Sequence, residues 1–127
     1  MPEQHLFEYA VIRVVPRVER EEFLNVGVVL YCAKQKFLQV MYKIDEPRIA
    51  AFAPELDIEE VCTYIEAFKC ICAGDKSCGP ISRLPIPERF RWLTATRSTV
   101  LQTSRVHPGF SVDLSETLAK LFSEMVQ

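Results

Sequence analysis

Two runs of β-branched and aromatic residues, Phe7–Val15 and Phe23–Cys32, are separated only by the charged connection Pro16–Glu22. Such runs favour strands, and a short connection favours pairing them as antiparallel neighbours. In the first run, alternation places Phe7, Tyr9, Val11, Arg13 and Val15 on one side and Glu8, Ala10, Ile12 and Val14 on the other. In the second, Leu24, Val26, Val28, Leu30 and Cys32 form an unbroken apolar face expected to point into the core. Phe23, Asn25, Gly27, Val29 and Tyr31 stand on the reverse face. Gly27 weakens a strand interior unless something approaches closely there or the strand bulges. Lys34-Gln35-Lys36 reads as a turn and Phe37–Ile44 as a third strand, which completes an antiparallel meander.

Helical signals follow. Asp45–Phe52 predicts a short helix beginning after Pro47. Asp57 with Glu60 matches the capping box, Ile58, Val61, Cys62, Ile65, Phe68 and Cys72 recur at helical spacing, and Gly74 is the terminator. Asp75–Glu88, with three prolines and a glycine, reads as an exposed loop. Phe90–Thr94 and Thr99–Val106 read as two further strands around an Ala-Thr-Arg-Ser turn, and His107-Pro-Gly109 breaks the chain. Asp113 with Glu116 opens a last helix, striped by Leu114, Leu118, Leu121, Phe122 and Met125. The expectation is an α+β fold: one domain over 1–127, mainly an antiparallel sheet of about five strands, with two to three helices packed on one face.

A chain of 127 residues, 49% apolar and 25% charged, has ordinary globular composition. Its apolar runs, such as Val26–Cys32, are too short to cross a bilayer, and Met1–His5 lacks the features of a signal peptide. Five cysteines form no even framework, so free thiols in a reducing, cytoplasmic setting are expected. The net charge of −2 argues against general coating of nucleic acid, although contact with a few phosphates is compatible with it.

Charge is nevertheless segregated. Arg83–Arg105 holds five arginines, Arg83, Arg89, Arg91, Arg97 and Arg105, against the single acid Glu88. On a strand, Arg89 and Arg91 would leave one face together, with Arg97, Ser98 and Thr99 in or beside the turn. Guanidinium forks with turn amides and hydroxyls hold carboxylates or phosphates well. The competing account pairs these arginines with Glu19, Glu21, Glu22, Glu59 and Glu60 as solvated surface pairs. Arg13 interrupts an apolar strand face and requires acceptors around it, Glu22 being the nearest carboxylate across the connection. Arg13, Glu22, Asn25 and Arg97, with His107 beside them, would make a small polar cluster if their strands adjoin.

Cys70, Cys72 and Cys78 do not show the paired spacing of a zinc site, and Cys62 and Cys72 fit an apolar helix face, so no metal or other cofactor is expected. His107 has no nucleophile elbow, glycine-rich phosphate loop or metalloprotease helix to work with. No catalytic residue is assigned.

The segments Tyr9-Ala-Val-Ile-Arg-Val-Val-Pro16, Glu22-Phe-Leu-Asn-Val-Gly-Val-Val29 and Arg89-Phe-Arg-Trp-Leu-Thr-Ala-Thr-Arg-Ser-Thr-Val100 together resemble a small bacterial family of domains of unknown function, the 3037 family. Cys70, Cys72 and Cys78 lie outside those segments. Members are often encoded beside proteins resembling HipA-type kinases of toxin–antitoxin modules. The resemblance implies a partnership, with no activity or catalytic residue attached. The reading is therefore a non-enzymatic cytoplasmic accessory or regulatory protein, binding an acidic or phosphorylated partner through an Arg-rich strand pair. A HipA-like kinase is the partner the resemblance suggests. The alternative is a small enzyme or receptor for a phosphorylated metabolite or nucleic acid, with Arg13, Asn25, Arg97 and His107 lining a pocket. Self-association through the exposed face of the meander is a third route.

Overall fold

A computed structural model describes residues 3–95, 97 and 99–126. Strand β1 (His5–Val14) is central. It pairs antiparallel with β2 (Leu24–Cys32), which in turn pairs with β3 (Phe37–Tyr42). The other edge of β1 is shared by two short strands, β4 (Leu101–Thr103) opposite Ile12–Val14 and β5 (His107–Ser111) opposite His5–Tyr9. Between them, the Ser104 hydroxyl accepts a bond from the Val11 amide while the Ser104 amide donates to the Val11 carbonyl, both at 2.8 Å. One side chain thus repairs the ladder where the edge strand is interrupted. The expected long strand Thr99–Val106 is shortened to β4, and His107-Pro-Gly109 is strand rather than breaker. Pro108 is tolerated because β5 is an edge.

The helices are α1 (Glu46–Phe52), α2 (Ile58–Ala73), α3 (Ile86–Leu93) and α4 (Leu114–Met125). Asp45, Asp57 and Asp113 each accept a backbone amide of the first turn, from Arg48, Glu59 and Glu116 respectively. Gly74 ends α2 in the left-handed region at φ 71°. The loop expected over Asp75–Glu88 contains two 3-10 turns, Lys76–Cys78 and Ile81–Arg83, and the start of α3.

The α+β class and five-stranded antiparallel sheet are as the sequence implies, but helices cover both faces rather than one. Ala10, Ile12 and Val14 of β1 pack with Ile49, Val61, Ile65, Phe68, Phe90 and Leu93, on the α1–α3 side. Phe7 packs with Leu114, Leu118 and Phe122 of α4 on the opposite side. A β-bulge redistributes β2. Gly27 pairs with Ile12 and Asn25 with Arg13, so Val26 has no opposite number. Val26 consequently joins Val29 and Tyr31 in the α1–α3 core, while Val28, Leu30 and Cys32 join α4. The single apolar face expected from Leu24 to Cys32 is divided between two cores.

Gly27 is fixed by close approach: a Cβ there would lie 2.8 Å from the Met41 carbonyl oxygen and 2.9 Å from the Tyr42 Cβ. Both neighbours belong to a paired strand and cannot swing away. Gly27→Ala should therefore lower unfolding stability by about 1–3 kcal/mol. Phe110→Ala, at a side chain 67% exposed, should change stability by less than about 0.5 kcal/mol. Denaturant titration of both variants checks the contrast.

Candidate functional site

The arginine window is not a strand pair. Phe90–Thr94 was expected to be extended because apolar and charged residues alternate, yet Ile86-Pro87 begins a helix and Ile86, Phe90 and Leu93 form its inner stripe. Phe90 is fully buried, its ring stacked on Tyr31 with centroids 4.8 Å apart. Arg89 and Arg91, two positions apart on a helix, leave in different directions.

Each guanidinium then has its own surroundings. Arg89 turns inward and donates from Nε to the Leu84 carbonyl at 2.9 Å. Its Nη1 donates to the carbonyls of Ile71 and Cys72 at 3.1 and 2.9 Å. Those carbonyls end α2, where a helix leaves acceptors unpaired and its dipole favours a cation. Gly74 lies against this clamp, since a Cβ there would meet Arg89 Nη1 at 2.7 Å. Arg91 pairs with Glu8 at 2.8 Å. That carboxylate is not among the acids considered from the sequence, because it sits on β1, far away along the chain.

Arg97 lies flat on Trp92, its guanidinium carbon 3.9 Å from the ring centroid, and donates to the Trp92 carbonyl. Desolvation lowers its pKa from the usual arginine range. Arg105 is exposed, with no ion pair or hydrogen bond from its side chain among the described residues. Thr99 donates to the Leu101 carbonyl at 2.7 Å. Ser98 lies outside the described residues.

Arg97 and Trp92 stand at the mouth of an apolar cleft of about 120 Å³ between α2, α3 and β4. Phe68, Ile71, Leu93 and Leu101 are its buried walls, and Tyr64 and Thr99 lie at its rim. Tyr64, Ala67, Phe68 and Ile71 went unrecognised as a surface. Their spacing on α2 is a second helical stripe beside the core stripe of Val61, Ile65, Phe68 and Cys72. The cleft volume decides what fits. A cavity of about 150 Å³ accommodates benzene, whereas clefts for drug-sized ligands begin near 300 Å³. A cleft of this volume therefore suits one apolar side chain rather than a whole drug-sized ligand.

The proposed polar cluster is dispersed. Arg13 and Asn25 are cross-strand partners, and Asn25 donates to the Met125 carbonyl at 3.0 Å, which places them on the α4 side. Arg13 does not pair with Glu22. It covers Phe23, with its guanidinium carbon 3.9 Å from the ring centroid, while Glu22 pairs with Arg20. Arg97 belongs to the opposite layer. His107 is exposed on β5 and packs against Tyr9, centroids 5.4 Å apart. Arg13 Nε and Asn25 Oδ1 are buried without hydrogen-bond partners among the described residues.

The five thiols are not all free: Cys70 and Cys78 form a disulfide across the end of α2, Cα atoms 6.1 Å apart. Asp75 lies beside them, and the ligand atoms of these three residues fall within 4.8 Å of one another, close enough for a metal. Cys32 and Cys72 are buried, and burial pushes the Cys72 thiol up to about 12.

A family model described as "Protein of unknown function (DUF3037)" matches residues 9–126. No curated protein and no solved structure matches the chain. No helix among the described residues is long and apolar enough to cross a membrane.

The two inward arginines differ in what they hold. Arg89→Met should cost about 2–3 kcal/mol by releasing the end of α2 from a charged donor. Arg13→Met should be neutral or stabilising, because it removes a buried unpaired donor and keeps the packing on Phe23. Thermal and denaturant unfolding of the two variants separates these outcomes.

Proposed function

The chain belongs to the DUF3037 family, and on that footing we propose that it is a non-enzymatic recognition module that takes an acidic, apolar-anchored segment of a protein partner in the Trp92–Arg97 cleft. The observation that carries this reading is the guanidinium of Arg97, laid on an indole that is 39% exposed, at the lip of a slot one side chain deep. The apolar walls supply affinity, and Arg97 supplies direction by attracting a carboxylate or phosphate flanking the anchor. Arg105, exposed two residues beyond β4 and outside the cleft lining, is kept as a second cation for the partner. Arginine and tryptophan are the residues that most often dominate such contacts.

Arg89 and Arg91 leave the binding set in this account, because their charges are already used within the chain. On the resemblance alone, the partner we propose is a HipA-like kinase in the cytoplasm, and the role an accessory or regulatory one. A small-molecule catalytic site is less well supported, since Arg13, Asn25, Arg97 and His107 are divided between the two faces and one edge of the sheet.

Trp92 is the only tryptophan, so its emission reports directly on the cleft. Peptides carrying one leucine or phenylalanine flanked by aspartates should alter that emission saturably, and the purified HipA-like kinase should compete with them. Arg97→Glu should weaken both interactions at least about tenfold, consistent with loss of a hot-spot contact of more than 1.4 kcal/mol. The folded state should be retained by circular dichroism. Undiminished binding by Arg97→Glu would remove the cleft from consideration.

A further inference from the structure

The ring closed by the Cys70–Cys78 bond contains the two carbonyls that Arg89 grips. Cys70 lies in the last turn of α2 and Cys78 ends the 3-10 turn Lys76–Cys78. Between them run Ile71 and Cys72, whose carbonyls accept from Arg89, and Gly74, whose left-handed turn reverses the chain beneath that guanidinium. Asp75 accepts bonds from the Ser77 amide and hydroxyl at 3.0 and 2.7 Å and holds the second turn in place. Arg89 shares α3 with Trp92, one helical turn further on. Ile71 itself lines the cleft with Trp92. A covalent connection at the two sulfurs is therefore coupled, through one guanidinium, to the position of α3.

Both sulfurs belong to half-buried residues, as does the unpaired Cys62, whereas Cys32 and Cys72 are enclosed in the cores. We infer that Cys70 and Cys78 form a reversible thiol–disulfide switch that sets how tightly α3, and Trp92 with it, packs against the end of α2. The oxidant is a low-molecular-weight disulfide. In the reduced protein both sulfurs lie at the C-terminal end of α2, so the helix dipole favours neither thiolate, and the exchange can begin at Cys78. The Cys78 thiolate attacks one sulfur of the small disulfide and expels the first small thiolate. The Cys70 thiolate then attacks the Cys78 sulfur of the mixed disulfide and expels the second. Two protein thiols have lost two electrons and two protons, and one small disulfide has become two small thiols. Reduction reverses each step.

This inference is independent of the partner assigned to the cleft, because its readouts are the thiols and the Trp92 emission of this chain alone. The full chain is equilibrated across a series of glutathione to glutathione-disulfide ratios, with thiols counted by alkylation and mass spectrometry and Trp92 emission recorded on the same samples. Cys70 and Cys78 should lose their thiols together in one two-electron transition, and a change in Trp92 emission should follow the same curve. The variant carrying Cys70→Ser and Cys78→Ser should give one emission spectrum at every ratio, matching reduced wild type. Arg89→Met, if folded, should keep the thiol transition and lose the emission change. Thiols that stay reduced in the most oxidising buffer would overturn the inference, as would oxidation that leaves Trp92 unaltered. Zinc added to the reduced protein provides the other decisive arm. Stoichiometric capture of zinc that blocks oxidation would assign Cys70, Asp75 and Cys78 to a metal instead.

Discussion

β1 is paired along both edges and covered on both faces, and the elements around it are placed by satisfying those four sides, with β3 added outside β2. Its amides and carbonyls have no water to fall back on, so β2 must supply one ladder and β4 with β5 the other. Its alternation sends Ala10, Ile12 and Val14 into one core and Phe7 into a second. A layer of helices on each side follows from that double burial. Alternation along β2 feeds both cores, and the bulge at Val26 moves that side chain to the α1–α3 side.

The arginines show how a charge-rich window is spent internally before anything is left for a partner. Unpaired carbonyls at the end of α2 are a strong local acceptor set, and Arg89 occupies them. Glu8 on β1 offers a carboxylate to the outer face of α3, and Arg91 takes it. Arg97 finds an indole and one carbonyl, which satisfies its planar face but leaves its charge without a counter-ion among the described residues. This gradation separates arginines that build the fold from those at the cleft and beyond it.

The end of α2 is where stability, covalent chemistry and the cleft meet. A helix terminus, a left-handed glycine, a cysteine ring and a guanidinium occupy one small region, and the wall of the cleft is the same helix seen from its other side. Packed interiors transmit small displacements because they have little free volume to absorb them. A change at the sulfurs is therefore felt at Trp92 more readily than at the exposed Leu6–Phe110 end of the sheet.

Strands β1 to β3, helix α2 with its Asp57 and Gly74 ends, and helix α4 were legible in the chain, because local period and terminal residues determine them. The helical state of Phe90–Leu93 was legible too, in Ile86-Pro87 and the spacing of Ile86, Phe90 and Leu93, but the period-two alternation of Arg89–Trp92 competed with that signal. Alternation separated Val28, Leu30 and Cys32 from Val29 and Tyr31, but neither the bulge that moves Val26 across nor the helix layer on the second face could be read, since both depend on partners far along the chain. Arg13 is legible as an interruption of its strand face, but its packing on Phe23, and the pairing of Glu22 with Arg20 instead, depend on the path of the connecting turn. What period and terminal residues determined by themselves was β1 to β3, α1, α2 and α4. Which arginine meets which acceptor, and that Cys70 meets Cys78, was decided only by tertiary structure, because those pairings are set by distances through space that no spacing along the chain encodes.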